Sequence, residues 1–115
     1  MEIEQEIQAK GLTAPRVTPA DIEANIASEH YFTAGQGCIG NVDEAPSDEA
    51  LAAMDLLTFC VLVMRNGFIV AGESACASPE NFDAELGRKV ARQNAINKVR
   101  PLLGYALKDK LNGAR

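Results

Sequence analysis

The sequence predicts one α+β domain, a small antiparallel β-sheet packed against a long C-terminal helix. Three observations carry this. Two runs rich in β-formers, Leu57 to Met64 and Phe68 to Ala71, flank the pair Asn66-Gly67, the strongest short-range signal for a hairpin. Ser78-Pro79-Glu80 then opens a stretch in which apolar residues recur every three or four positions, the period of a helix with one buried stripe. The chain has 115 residues, 47% hydrophobic and 23% charged, which suits one domain with one modest core.

Taken in chain order, residues 1–17 read as flexible: Glu2 to Lys10 suits a short helix, but Gly11 and Pro15 end it. Thr18-Pro19-Ala20-Asp21 is a sharper start, with Thr18 as cap, Pro19 in the first helical position and Asp21 favouring the positive helix end. A short helix is expected at about 19–28, with Ile22 and Ile26 on one face. His30 to Thr33 reads as a short strand. Residues 35–50 read as an acidic, Gly-rich loop insert, with a helical turn starting at Ser47-Asp48-Glu49 and running through Met54.

The central hairpin is expected at about 56–76. With Asn66 and Gly67 as a two-residue loop, Val63 pairs with Val70 and Cys60 faces Glu73. One face then carries Cys60, Leu62, Met64, Ile69 and Ala71, and the other Phe59, Val61, Val63, Phe68 and Val70. Both faces are apolar, so both need cover. The long helix covers one, and the expectation for the other is a second copy of the chain. The alternative is that residues 19–34 fold over it. The helix is expected at about 79–111, capped by Ser78, with Phe82, Leu86, Val90, Ile96, Val99, Leu103 and Leu107 on its buried stripe. Pro101 should kink or restart it near residue 100, and Asn112-Gly113 should end it.

Charge is uneven. Residues 1–50 hold ten acids and two bases, residues 51–115 six acids and nine bases, which together give the net charge of −5. A globally acidic chain does not suit duplex DNA, where affinity comes largely from neutralising phosphates. A basic patch on the second half can still hold a small anion, and the acidic half can present itself to a basic partner. The longest apolar run, Leu56 to Met64, is far short of the roughly 20 residues a bilayer needs, so no membrane span is expected. The acidic start, Glu2, Glu4 and Glu6, is unlike a secretory signal.

Motifs for catalysis are weak. Gly35-Gln36-Gly37-Cys38-Ile39-Gly40 matches G-x-G-x-x-G, but an acidic stretch ending in Pro46 follows it where a phosphate-binding helix should open. His30 is the only histidine, and nothing in the sequence places it beside Cys76. Cys38, Cys60 and Cys76 show no metal spacing and read as reduced, small hydrophobes. The pairs Asp43-Glu44 and Asp48-Glu49 read as solvated loop. No catalytic residue, metal or cofactor is assigned, and the chain reads as a binder and not an enzyme.

The basic stretch of the long helix is the candidate site. Arg88 and Arg92 are four apart on one face, with Lys89, Lys98 and Arg100 nearby and Asn94 and Asn97 three apart. Guanidinium forks match phosphate oxygens, and side-chain amides read base edges or ribose hydroxyls. Phe82 offers a flat ring on which a base can stack. The ligand-binding set is therefore Phe82, Arg88, Arg92, Asn94 and Arg100. A plain solvated basic helix face is the competing reading.

From Leu56 onward the chain resembles the small tailed-phage proteins named for gene forty-nine of one podovirus and gene sixty-six of another. The resemblance rests on Thr58-Phe59-Cys60-Val61-Leu62, Arg65-Asn66-Gly67-Phe68, Gly72-Glu73-Ser74-Ala75-Cys76, the block from Pro79 to Lys89, Asn94-Ala95-Ile96-Asn97-Lys98 and Pro101-Leu102-Leu103-Gly104-Tyr105. Arg100 departs from the family pattern, where an aromatic residue is common. The strand-hairpin and long-helix layout is similar to the phage Thoeris anti-defence sponges, oligomers that enclose cyclic nucleotide signals without cleaving them.

That resemblance implies phage origin, a place in the host cytoplasm, and capture of a cyclic ADP-ribose-type or cyclic oligonucleotide signal by a homo-oligomer. The alternative function is an acidic module that binds and blocks a host protein, as a DNA mimic. Deletion of residues 36–50 should spare the first activity and remove the second. A third class, a nucleotide-directed enzyme using Cys76 or His30, would require turnover that is lost in His30→Ala.

Overall fold

The structure is a computed structural model that describes residues 2–40, 43 and 45–113. Helix α1 (Ile3–Ala9) and helix α2 (Pro19–Ala24) lead into strand β1 (Ile26–Thr33). Short helices α3 (Ala34–Cys38) and α4 (Asp48–Met54) precede strands β2 (Leu57–Met64) and β3 (Ile69–Ala75). A 3-10 turn at Pro79–Asn81 precedes helix α5 (Ala84–Gly113). The sheet is antiparallel with order β1-β2-β3, so β2 is central. The fold is the α+β layout that the sequence predicts, a three-stranded sheet with one long helix across a face.

Several local elements differ from expectation. Helix α2 stops at Ala24, because β1 is eight residues long and begins at Ile26, inside the stretch expected to be helical. Within α2, Thr18 and Asp21 form a reciprocal capping box. Gly35 to Cys38, expected as loop, form α3 because Thr33 and Gln36 make a second such box. Helix α4, by contrast, runs as expected from Asp48 to Met54, capped by the Ser47 side chain. Of the Asp43-Glu44 pair, Glu44 lies outside the described residues. At the N-terminus, α1 forms over Ile3–Ala9 and Arg16 pairs with Glu4 at 2.6 Å.

The hairpin register differs by one residue. Gly67 alone takes a left-handed conformation, with φ of 88°, while Asn66 does not. The loop is therefore three residues, Arg65 to Gly67. It is closed by the Gly67 amide donating to the Met64 carbonyl and the Met64 amide to the Phe68 carbonyl, both 2.8 Å. The Asn66 side chain accepts from the Phe68 amide at 3.0 Å. Val63 consequently faces Ile69, Cys60 faces Gly72, and Phe59 faces Glu73. In a sheet a one-residue slip exchanges the two faces of a strand. Val70 and Gly72 thus join Cys60, Leu62 and Met64 beneath the helix, and Ile69 and Ala71 turn to the other side.

The core lies between the sheet and α5. Ile22, Cys60, Leu62, Ala91, Ala95 and Val99 are almost wholly buried there. Each large side chain so buried contributes roughly 1.5–3 kcal/mol. The helix does not bury the stripe expected for its first turns: Leu86 and Val90 are exposed, and Ala91, Ala95 and Val99, four apart, are inside. The reason is close approach. Gly72 has no side chain, and the α5 backbone at Ala91 and Ala95 sits directly on it. Ser78 makes no capping bond. The Asp83 carboxylate instead accepts from the Leu86 amide at 2.9 Å, so α5 opens at Ala84. It then continues through Pro101 to Gly113 as one element.

The opposite sheet face carries Phe32 from β1, Phe59, Val61 and Val63 from β2, and Ile69 and Ala71 from β3. Phe32 and Phe59 stack with ring centroids 5.2 Å apart. Residues 19–34 do not fold over this face. Ile22 packs into the core under α5, and 26–33 form the edge strand. Helix α3 reaches the face at its end, where Gly37 lies against the Phe32 ring.

Candidate functional site

A concavity of about 750 Å³ opens where the end of β1 meets the start of α5. One wall is α5 and its approach, with Phe82 and Arg88. The floor carries Thr58 of β2 and Tyr31 and Phe32 of β1. The other wall is built from α3, α4 and their ends, with Gln36, Ile39, Leu51 and Asp55.

Local sequence places each group. The Thr33 amide donates to Gln36 Oε1 at 2.9 Å and the Gln36 amide to Thr33 Oγ1 at 3.1 Å, which turns the chain sharply off β1. The Thr33 hydroxyl also donates to Asp55 Oδ1 at 3.4 Å. Gly35 makes room for that carboxylate, since a Cβ there would stand 2.0 Å from Asp55 Oδ1. Gly87 lets α5 approach Thr58, whose hydroxyl would be 3.2 Å from a Cβ at that position. Arg88 is exposed and has no hydrogen-bond or ion-pair partner among the described residues. The groove thus offers an uncommitted guanidinium and an aromatic ring on one wall and a carboxylate on the other.

Of the five residues that the sequence singles out, Phe82 and Arg88 share this groove. The other three do not line it. Arg92 holds the fold together. Its guanidinium donates to both Glu23 carboxylate oxygens, at 3.0 and 2.7 Å, and to Glu29 at 2.8 Å, joining α5 to α2 and β1. These bonds raise the Arg92 pKa and hold the Glu23 carboxyl below its usual range. The Asn94 amide donates to the Glu73 carbonyl at 2.8 Å, and the neighbouring Lys98 ammonium to the Ala71 carbonyl at 2.7 Å. Both serve the edge of β3. Arg100 lines a separate groove of about 560 Å³ beside Glu2, Glu4 and Arg16. Its charge helps to lower the Glu4 pKa, an effect dominated by the Arg16 hydrogen bond.

The groove contains no histidine. His30 lies on the opposite sheet face, its Nε2 3.0 Å from the Ser28 hydroxyl. Cys76 follows β3, beyond β2, and its thiol donates to the Ser78 carbonyl at 3.1 Å, so the fold does not bring the two together. Tyr31 is pushed up to about 12 by burial and by the nearby Cys60 and Glu29. It therefore stays a phenol and donates to Glu29 at 3.2 Å. Burial likewise raises the Cys60 thiol. No group of three or more metal-ligating side chains occurs among the described residues, and no described helix is long and apolar enough to cross a membrane.

Sequence reasoning missed Thr33, Gln36, Asp55 and Thr58. One signal was available: Thr33 followed three residues later by Gln36 is a capping-box pattern, which marks an ordered turn where a loop was expected.

Fold and groove together define a small α+β domain with a sheet backed by one long helix and an open cleft at the helix start. The chain belongs to the phage protein (N4 Gp49/phage Sf6 gene 66) family, whose model matches residues 17–111. No curated protein and no solved structure matches it.

Proposed function

We propose that this phage protein is a non-enzymatic binder that sequesters a cyclic nucleotide signal of host defence, of the cyclic ADP-ribose or cyclic oligonucleotide type, in the host cytoplasm. The observation that carries the reading is the meeting of Phe82 and Arg88 in one groove of about 750 Å³. That volume lies within the roughly 300–1,000 Å³ of small-ligand sites. The ring stacks on a base, the guanidinium forks a phosphate, and Asp55 accepts from ribose hydroxyls. Capture needs no catalytic group, and a rigid groove reduces the ordering cost of binding. The resemblance read from the sequence to the phage Thoeris anti-defence sponges favours the same reading.

The test is calorimetry of the full chain with a panel of cyclic ADP-ribose isomers and cyclic di- and trinucleotides. One member should bind with micromolar or tighter affinity and be recovered intact after denaturation. Arg88→Ala should weaken it about 10- to 100-fold, in line with the loss of a charge-assisted bond. Arg100→Ala should not weaken it. Silence across the panel from a folded protein, or recovery of a cleaved ligand, would sink the proposal. Deletion of 36–50 no longer separates this activity from host-protein blocking, because Gln36 and Ile39 line the groove.

A further inference from the structure

The groove wall opposite Phe82 and Arg88 carries a hydrogen-bonding pair of its own. Thr33 anchors both members. Its amide donates to Gln36 Oε1 at 2.9 Å, and its hydroxyl donates to Asp55 Oδ1 at 3.4 Å. A backbone N–H only donates, so Gln36 turns its oxygen to Thr33 and keeps its Nε2 for something else. That Nε2 and the second Asp55 oxygen have no hydrogen-bond partner among the described residues. Asp55 Oδ1 lies over Gly35, where a Cβ would stand 2.0 Å from it, so the carboxylate sits beside Gln36. The wall thus presents a donor without an acceptor next to an acceptor without a donor.

Few ligand groups match that pair. A phosphate offers oxygens and negative charge, which suit Gln36 and are repelled by Asp55. A vicinal diol suits both, because each hydroxyl donates and accepts: one donates to Asp55 while its neighbour accepts from Gln36. A base edge also supplies a donor and an acceptor, but stacking on Phe82 holds the base at the other wall. The shape of a nucleotide brings its diol here. The base and the 5′ substituent leave one face of the ribose ring, and the 2′ and 3′ hydroxyls leave the other. With the base on Phe82 and the 5′ phosphate on Arg88, the hydroxyls point across the groove.

We infer that Gln36 and Asp55 together read an unsubstituted ribose 2′,3′-diol, and that they exclude a ligand with a phosphate ester on either hydroxyl. The inference rests on the nucleotide reading of the groove. It goes further in giving Gln36 a role and in fixing which sugar the ligand carries.

Calorimetry of the full chain with 5′-AMP and its analogues tests it, AMP being a small probe with base, phosphate and diol. AMP should bind with millimolar or tighter affinity, and Arg88→Ala should weaken it. 2′-Deoxy-AMP and 3′-deoxy-AMP should each bind about 5- to 50-fold more weakly, as expected for one lost hydrogen bond. Adenosine 3′,5′-bisphosphate should also bind more weakly than AMP, whereas a plain cationic patch would hold the extra phosphate more tightly. Gln36→Glu keeps the capping box with Thr33, since glutamate accepts from the same amide, but removes the donor. It should weaken AMP about 10-fold or more with an unchanged circular dichroism spectrum. Should it not fold, the analogue series on the parent protein decides alone. The inference is overturned by AMP that does not bind, by deoxy analogues that match AMP, by a bisphosphate that binds more tightly, or by a folded Gln36→Glu with the parent's affinity. Its fate is separate from that of sequestration. Diol-dependent AMP binding beside a silent cyclic nucleotide panel removes sequestration and leaves the diol reading. A cyclic ligand that binds while the deoxy analogues match AMP does the reverse.

Discussion

Alanine at position 72 has no room. Its Cβ would stand 2.3 Å from the Ala95 nitrogen, 2.4 Å from the Ala91 oxygen and 2.8 Å from the Ala95 Cα. Ordinary contact is about 3.4 Å or more, so something must retreat by about 1 Å. The obstacles are backbone atoms of a 30-residue helix, so no side-chain rotation relieves them. The helix must lift, loosening the contacts of Ala91, Ala95 and Val99 with Cys60 and Leu62. Overpacking of this kind costs about 1–3 kcal/mol, and the rigid obstacle argues for the upper half of that range. Against it stands the roughly 0.5–1 kcal/mol that replacing a glycine returns through the unfolded chain. The net expectation for Gly72→Ala is a loss of about 1–2.5 kcal/mol. Urea denaturation should show it as a midpoint lowered by roughly 1 M with an unchanged slope. Gly104→Ala is the control: it lies within α5 with nothing within 4 Å of its Cβ, and should stabilise by up to about 1 kcal/mol. A Gly72→Ala protein as stable as the parent would refute the account of how α5 meets the sheet.

Arg92→Ala should cost about 1–2 kcal/mol in the same denaturation assay, because it breaks the half-exposed pairs with Glu23 and Glu29. It should leave nucleotide affinity nearly unchanged, and a selective loss of binding would return Arg92 to the site. The Glu23 and Glu4 carboxyls have lowered pKa values in the fold, so their contribution is present above the ordinary value of 4.5 and lost as pH falls through the folded values. Thermal melts should therefore be flat from pH 7 to about 5 and fall below that, less steeply in Arg92→Ala. Gly35→Ala should displace the Asp55 carboxylate at little cost in melting temperature, because the clash is with a flexible side-chain end, yet it should weaken the ligand in calorimetry. The double variant Asn94→Ala, Lys98→Ala should expose the β3 edge and raise light scattering on standing, with the melting temperature little changed.

Much of the fold was legible because its signals are local. Asn66-Gly67 between β-rich runs announced the hairpin, and the 3.6-residue period after Ser78 announced the helix. Which residues of β3 face that helix was not legible. Asn-Gly serves both a two-residue loop and a three-residue loop with glycine left-handed, and the two differ by one residue of register. The site divided the same way. Phe82 and Arg88 stood out by residue type, and the groove contains both. Arg92, Asn94 and Arg100 stood out equally, but their partners Glu23, Glu29, Glu73 and Glu4 are between 21 and 96 positions away in the chain. No window of sequence reports that a guanidinium is already occupied.

By itself the sequence determined the hairpin and the long helix, the acidic and basic halves, and the apolar character of both sheet faces, because propensity and alternation act over a few residues. Only the tertiary structure decided that Gly72 is where the helix lands, that one arginine is a clamp while another is free, and that the end of α4 brings Asp55 into the groove that Phe82 and Arg88 line. Those outcomes depend on packing between segments distant in the chain, where a single ångström of backbone approach selects one register and one set of neighbours.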